Sequence, residues 1–294
     1  MKRSAGYYIL RAFTWPMQLF PLEFHYWVSN LLYVLIYYVA GYRKSVVSEN
    51  LKHSFPEKTD VERKQIEKDF YKGFADMFIE TLYFININPK KEANRLVLDN
   101  MELLEDLVKR GKNVIAVCGH FGNWEFLNLK IHQLNATTYF VYKQLNNKAF
   151  DQFYRDMRSR IAIPLEMKQT FRRLMTDTRE KKSYAALFIS DQRPMRSEIK
   201  HWVSFMNQDT PVMLGTEKIA RKTNAAVVYI ELTRIKRGYH KAKFELLVEE
   251  PLQCEQYEVT DKFMARLEQS ICNYPDQYLW SHKRWKYKKE EGIA

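Results

Sequence analysis

Cysteine is scarce in this chain of 294 residues: Cys118, Cys254 and Cys272 stand far apart, and none belongs to a CxxC pair. An odd, scattered set excludes a disulfide framework and a structural zinc site, and it fits a reducing compartment. No HExxH helix signature, internal repeat or low-complexity linker is present. The sequence also lacks any recognised nucleic-acid-binding module. Its net charge of +12 nevertheless calls for an anionic partner: nucleic acid, acidic phospholipid, a phosphorylated substrate or an acidic carrier protein.

Aromatic residues are abundant, at 19 Tyr, 18 Phe and 6 Trp, and many fall in the first 85 positions. Amphipathic rings favour the membrane–water interface. The stretch from Phe24 to Gly41 is almost wholly apolar and reaches about the 18 residues of a short spanning helix. Arg3 and Arg11 before it and Arg43 and Lys44 after it leave orientation open, so a helix lying in the interface is an equal alternative, and an ordinary core helix a third. The run starts late and lacks a small-residue cleavage site, which argues against a cleaved signal peptide. The expectation is a membrane-anchoring helical segment over 1–45 and a single α/β domain over 46–294.

Periodicity supports that division. Val61, Ile66, Phe70, Phe74, Met77 and Phe78 recur at mostly helical intervals, predicting a helix within 57–85, and another over Met101 to Arg110 ends at Gly111. Beyond it, strand-like runs at 114–118, 138–142, 183–189, 225–232 and 244–248 alternate with helical stretches at 148–160, 170–181 and 215–222. Such alternation predicts a mixed, largely parallel sheet covered by helices.

The run VCGHFGNWE places His120 just after the first of these strands, with Glu125 five residues on. An imidazole beside a carboxylate can take a proton from a hydroxyl, the carboxylate fixing the ring tautomer. Five residues of continuous helix would put the two side chains on different faces, so contact requires a turn. Gly119 and Gly122 permit one, and Asn123 is a good N-cap. His120 would then project from a strand's carboxyl end, where open α/β sheets hold their sites. A histidine near a glutamate is commonly only a structural pair, but the surrounding glycines, asparagine and tryptophan make this a rarer arrangement.

Other polar groups follow later strands. Lys143 and Asn147 come after the second, and Arg155 and Arg158 share a helical face suited to phosphate or carboxylate, or simply to solvent. From Arg155 to Lys200 there are 12 basic against 6 acidic residues. Asp191, Gln192 and Arg193 end the third strand; in a parallel sheet Asp191 opens onto the same edge as His120, to orient an arginine or a substrate hydroxyl, or else to make a turn before Pro194. The tail from Asn273 to Lys286 interleaves bases with aromatics, and capping of the sheet is the simplest role for Trp280 and Trp285.

Together these segments resemble the lysophospholipid acyltransferase superfamily, in its branch of late lipid A acyltransferases (lauroyl and myristoyl transferases). The resemblance rests on HFGNWE at His120–Glu125, Asp191-Gln192, and YPDQYLWSHKRWK from Tyr274, with looser support from Tyr42-Arg43-Lys44, Asn50-Leu51, Phe55-Pro56, Phe205 and Gly215. It implies a glycerolipid acyltransferase-like fold, His120 as base with Glu125 as its partner, and substrate contacts at Gly122, Asn123, Lys143, Asn147, Arg155, Arg158, Asp191, Gln192 and Arg193. It further implies an acyl-carrier-protein or coenzyme A thioester as donor, a lipid hydroxyl as acceptor, no cofactor or metal, no nucleic acid, and a place on the inner membrane with the site facing the cytoplasm. Lys143, Ala162 and Asn207 depart from the branch's usual Arg, Gly and Gly, and related sequences acylate aminolipids or other glycolipids, so the acceptor stays open. Rival readings are a basic nucleic-acid-binding protein, a metallohydrolase using His120, Glu125 and His132, and a catalytically silent membrane scaffold.

Overall fold

The sheet is built around its most apolar strand. In the computed structural model, which describes residues 3–130 and 134–289, Val114–Cys118 is buried along its whole length. It is the second of seven strands: β1 (Leu96–Asp99), β2 (Val114–Cys118), β3 (Thr137–Tyr142), β4 (Ile163–Glu166), β5 (Tyr184–Ile189), β8 (Ala226–Lys236) and β9 (Tyr239–Val248). Their order across the sheet is β1-β9-β8-β2-β5-β3-β4. Every pairing is parallel except the β8–β9 hairpin. A central strand covered on both faces reads as a continuous apolar run rather than an alternating one.

Side chains of β2 divide between two cores. Ile115 and Val117 join one with Leu174, Ile219, Phe263 and Trp280; Val114, Ala116 and Cys118 join the other with Tyr26, Leu104, Phe153 and Met157. Helices α3 (Lys44–Ser54), α7 (Met167–Arg179), α8 (Gly215–Thr223) and α9 (Glu258–Asn273) serve the first core; α1 (Ala5–Thr14), α2 (Leu22–Val34), α5 (Glu102–Lys109) and α6 (Lys148–Arg158) serve the second. The long helix α4 (Asp60–Phe84) contributes Phe70 and Tyr71 to one and Tyr83 and Phe84 to the other. It starts at a capping box in which the Thr59 hydroxyl accepts from the Glu62 amide and the Glu62 carboxylate accepts from the Thr59 amide. A small hairpin, β6 (Trp202–Phe205) and β7 (Gln208–Pro211), turns through Met206 and Asn207 at φ 53° and 61°. A two-residue hairpin of this hand needs positive φ at both positions, and asparagine tolerates it well.

Residues 3–45 pack onto the body. Tyr26 and Ser29 of α2 bond to Glu80 and Asp76 of α4, and Tyr7 of α1 bonds to Asp156 of α6. Among the described residues no helix is long and apolar enough to cross a membrane. The outward face is nonetheless apolar: Phe24, Trp27 and Leu31 on α2, continued by Leu35 and Tyr38 in the π-helical turn Leu35–Val39, form one exposed stripe. Tyr8, Ile9 and Phe13 of α1 and Trp15, Leu19 and Phe20 after it are exposed as well.

Candidate active site

His120 and Asp191 each stand two residues past a strand end. The parallel register of β2 with β5 pairs Cys118 with Ile189, and the amide of Ser190 continues the ladder to the Cys118 carbonyl at 3.1 Å. Extending that register brings the two side chains together at the carboxyl edge of the sheet. His120 Nδ1 lies 2.6 Å from Asp191 Oδ1, with Asp191 2% exposed and the His120 side chain 17% exposed.

The tautomer follows from the partners. A carboxylate accepts only, so the ring proton sits on Nδ1, leaving the Nε2 lone pair to accept from the Gln192 amide at 3.3 Å. Burial pushes the Asp191 carboxyl up, but the charge and hydrogen bond of His120, with Arg284 behind, bring it below its ordinary value. Arg284 is 1% exposed, and none of its guanidinium nitrogens has a hydrogen-bond partner among the described residues. Its positive charge acts on Asp191 through a poorly screening interior.

Glu125 does not meet His120, contrary to the expectation from spacing. Its carboxylate accepts from Arg158 Nη2 at 2.5 Å and from Asn128 Nδ2 at 2.9 Å. The cause is local. Gly122 turns the chain at φ 62°, Asn123 caps a 3-10 helix over Trp124–Leu129, and Glu125 is thereby directed inward to α6. Trp124 fills the space beside the imidazole instead, edge-on at 4.8 Å. Gly122 has no room for a side chain, because a Cβ there would run into the Leu232 carbonyl oxygen.

The loop carrying His120 is clamped from the far end of the chain. Gly122 N donates to Gln277 O at 2.9 Å and Leu279 N donates to His120 O at 3.0 Å. The tail is held in turn by α3 and the residue before it: Arg43 donates to the Ser281 carbonyl and Asn50 to that of Trp280. Trp280 is fully buried and donates to Pro275 O, while Trp285 donates to Thr210 Oγ1, so both tryptophans are core rather than surface groups.

A cavity opens beside His120, with Phe70, Phe74, Met77, Asp76 and Glu80 of α4 on one side and Trp124, Arg234, His240 and Asp276 to Leu279 on the other. Phe74 packs on Phe78 and Tyr42, both exposed, so an aromatic row runs from the cavity to the surface. Glu80 accepts from Asn123 Nδ2 at 2.8 Å and from the Tyr26 hydroxyl at 2.9 Å, tying the His120 loop to α2.

The remaining residues singled out from the sequence stand outside the cavity. Asn147 caps α6 by accepting from the amides of Ala149 and Phe150; Arg193 donates to the Lys283 carbonyl; Lys143 is exposed after β3. Neither these nor Arg155 line the cavity or bond to His120. Cys118 is buried, and burial pushes its thiol up, which leaves it unreactive. Among the described residues no group of three or more His, Cys, Asp or Glu is arranged to hold a metal ion; His132 lies outside them. Sequence reasoning missed Glu80, Arg234, His240 and Arg284, which come from α4, β8, β9 and the tail with no local pattern linking them.

Comparison with curated proteins finds no match. Among solved structures, the 1-acyl-sn-glycerophosphate (LPA) acyltransferase PlsC from Thermotoga maritima aligns over 88% of this chain and 99% of its own, at 14% identity and a TM-score of 0.39. The model of one protein family, described as bacterial lipid A biosynthesis acyltransferase, matches residues 1–287. The chain that holds His120 against Asp191 at this sheet edge therefore belongs to the bacterial lipid A biosynthesis acyltransferase family and is an acyltransferase.

Proposed function

We propose that this enzyme moves a fatty acyl chain from an acyl-carrier-protein or coenzyme A thioester to a hydroxyl of a lipid A precursor, with His120 as general base and Asp191 as its orienting partner. The observation that carries this reading is the Nδ1–Asp191 contact of 2.6 Å, which leaves Nε2 with a lone pair beside the cavity. The acceptor hydroxyl displaces the Gln192 amide from Nε2, which then takes the hydroxyl's proton as its oxygen attacks the thioester carbonyl. Asp191 stabilises the imidazolium so formed without itself taking the proton. The tetrahedral intermediate collapses by breaking the carbon–sulfur bond, and the imidazolium returns its proton to the thiolate. Ester and free thiol are the products, and no acyl-enzyme is formed.

Glu125 and Arg158 shape the loop rather than the ring. The row Phe70, Phe74 and Met77 gives the cavity an apolar wall suited to an acyl chain, each buried methylene contributing about 0.8 kcal/mol. The exposed stripe of α1 and α2 supports an interfacial seat on the cytoplasmic face of the inner membrane, with a lipid surface as partner. The net charge of +12 favours encounter with acidic lipid and with an acidic carrier protein.

The test is transfer from a radiolabelled acyl-carrier-protein thioester to a hydroxyacylated lipid A precursor in mixed micelles. His120→Ala and Asp191→Asn should each lower kcat/KM by about 1,000-fold or more while remaining folded. Wild-type turnover in His120→Ala would end the proposal.

A further inference from the structure

The charged side chains lining the cavity already have partners. Asp76 is held by Ser29 and Arg237, Glu80 by Asn123 and Tyr26, and Arg234 by Asp276. The Gln277 side-chain oxygen accepts from the Arg234 amide. His240 of β9 lines the same cavity and is 2% exposed, and its buried Nδ1 has no hydrogen-bond partner among the described residues. A buried polar atom left unpaired is destabilising unless a ligand pairs it.

We propose that His240 is a specificity-determining residue whose imidazole hydrogen-bonds an uncharged hydroxyl or amide of the acceptor's head, while the hydroxyl to be acylated lies at His120. This assignment rests on the acyltransferase reading above. Position fixes the ring: β9 places His240 opposite Arg234 of β8, and the imidazole packs against Phe126 with centroids 4.0 Å apart. Charge then selects the ligand. Burial, with Arg234 adding to it, drives the imidazole down to about 3, so the ring is neutral at physiological pH and offers one donor and one acceptor. The carboxyl groups of Asp76, Glu80 and Asp276 line the same space, and the one guanidinium in the lining is already clamped to Asp276. An anionic group is poorly served there, whereas a hydroxyl or amide can give and accept a hydrogen bond at once. Sites built around an unpaired polar group discriminate against ligands that leave it unpaired.

The experiment compares two acceptors with the same thioester donor: a hydroxyacylated glucosamine glycolipid and a fatty alcohol of equal chain length without a head. His240→Phe keeps the packing on Phe126 and removes both nitrogens. The ratio of kcat/KM for glycolipid over alcohol should fall by about tenfold, through KM for the glycolipid. An unchanged ratio would overturn the assignment. A second readout needs no variant and no turnover: the 15N signals of the His240 ring in the wild-type protein should move on adding glycolipid and hold still on adding alcohol. Ring signals indifferent to the glycolipid would refute the role even where transfer proceeds, and signals that move where transfer fails would support it apart from the catalytic reading.

Discussion

Arg158 Nη2 lies 2.5 Å from Glu125 Oε1, and its guanidinium carbon stacks over Phe140 at 4.4 Å. Only 4% of the glutamate side chain reaches solvent, so removing its partner strands a buried charge. Arg158→Met should cost about 3–5 kcal/mol in denaturant unfolding. The double change Arg158→Met with Glu125→Gln should recover part of that loss. A single variant within about 1 kcal/mol of wild type would show that the pair does not hold the loop.

Glu80 has a pH signature. Burial pushes its carboxyl up to about 7 from an ordinary 4.5, against the hydrogen bond from Asn123 and with Asp76 adding to the rise. Between those values the folded protein keeps a proton that the unfolded chain has lost, so this group's contribution is complete below about pH 4.5 and is lost as pH rises through about 7. Glu80→Gln should remove that loss, which is on the order of 3 kcal/mol, when urea unfolding is compared at pH 5 and pH 8. Parallel slopes for the two proteins would contradict it.

The exposed stripe on α2 predicts interfacial binding. Trp27→Asp and Leu31→Asp should each weaken partition onto vesicles containing acidic phospholipid by about tenfold or more, since burying one such side chain contributes about 1.5–3 kcal/mol. Both positions are more than half exposed. Unfolding midpoints should therefore change little, and flotation unchanged from wild type would refute the membrane seat.

Periodicity made the central elements legible. β2 spans Val114–Cys118 as its apolar run requires, and helix α4 falls within 57–85. The four-residue strands β1 and β4 were illegible because edge strands this short carry too few residues to show a period. Spacing and the resemblance both point to Glu125 as the partner of His120. The carboxylate that touches the ring in the structure is 71 residues away, and only the register of two parallel strands brings it there. That register had a trace in the sequence, because each side chain follows its strand by two positions. Arg284 and His240 left no such trace: a basic residue in an aromatic tail and a histidine in a hairpin strand look like surface groups until the fold buries them.

The most direct test of the base-and-partner arrangement is the 15N spectrum of the His120 ring at a pH where the imidazole is neutral, recorded for wild type, Asp191→Asn and Glu125→Gln. The account predicts a proton on Nδ1 and an unprotonated Nε2 in wild type and in Glu125→Gln, with that tautomer lost in Asp191→Asn. A wild-type ring protonated on Nε2, or a tautomer that changes with Glu125 and not with Asp191, would contradict it.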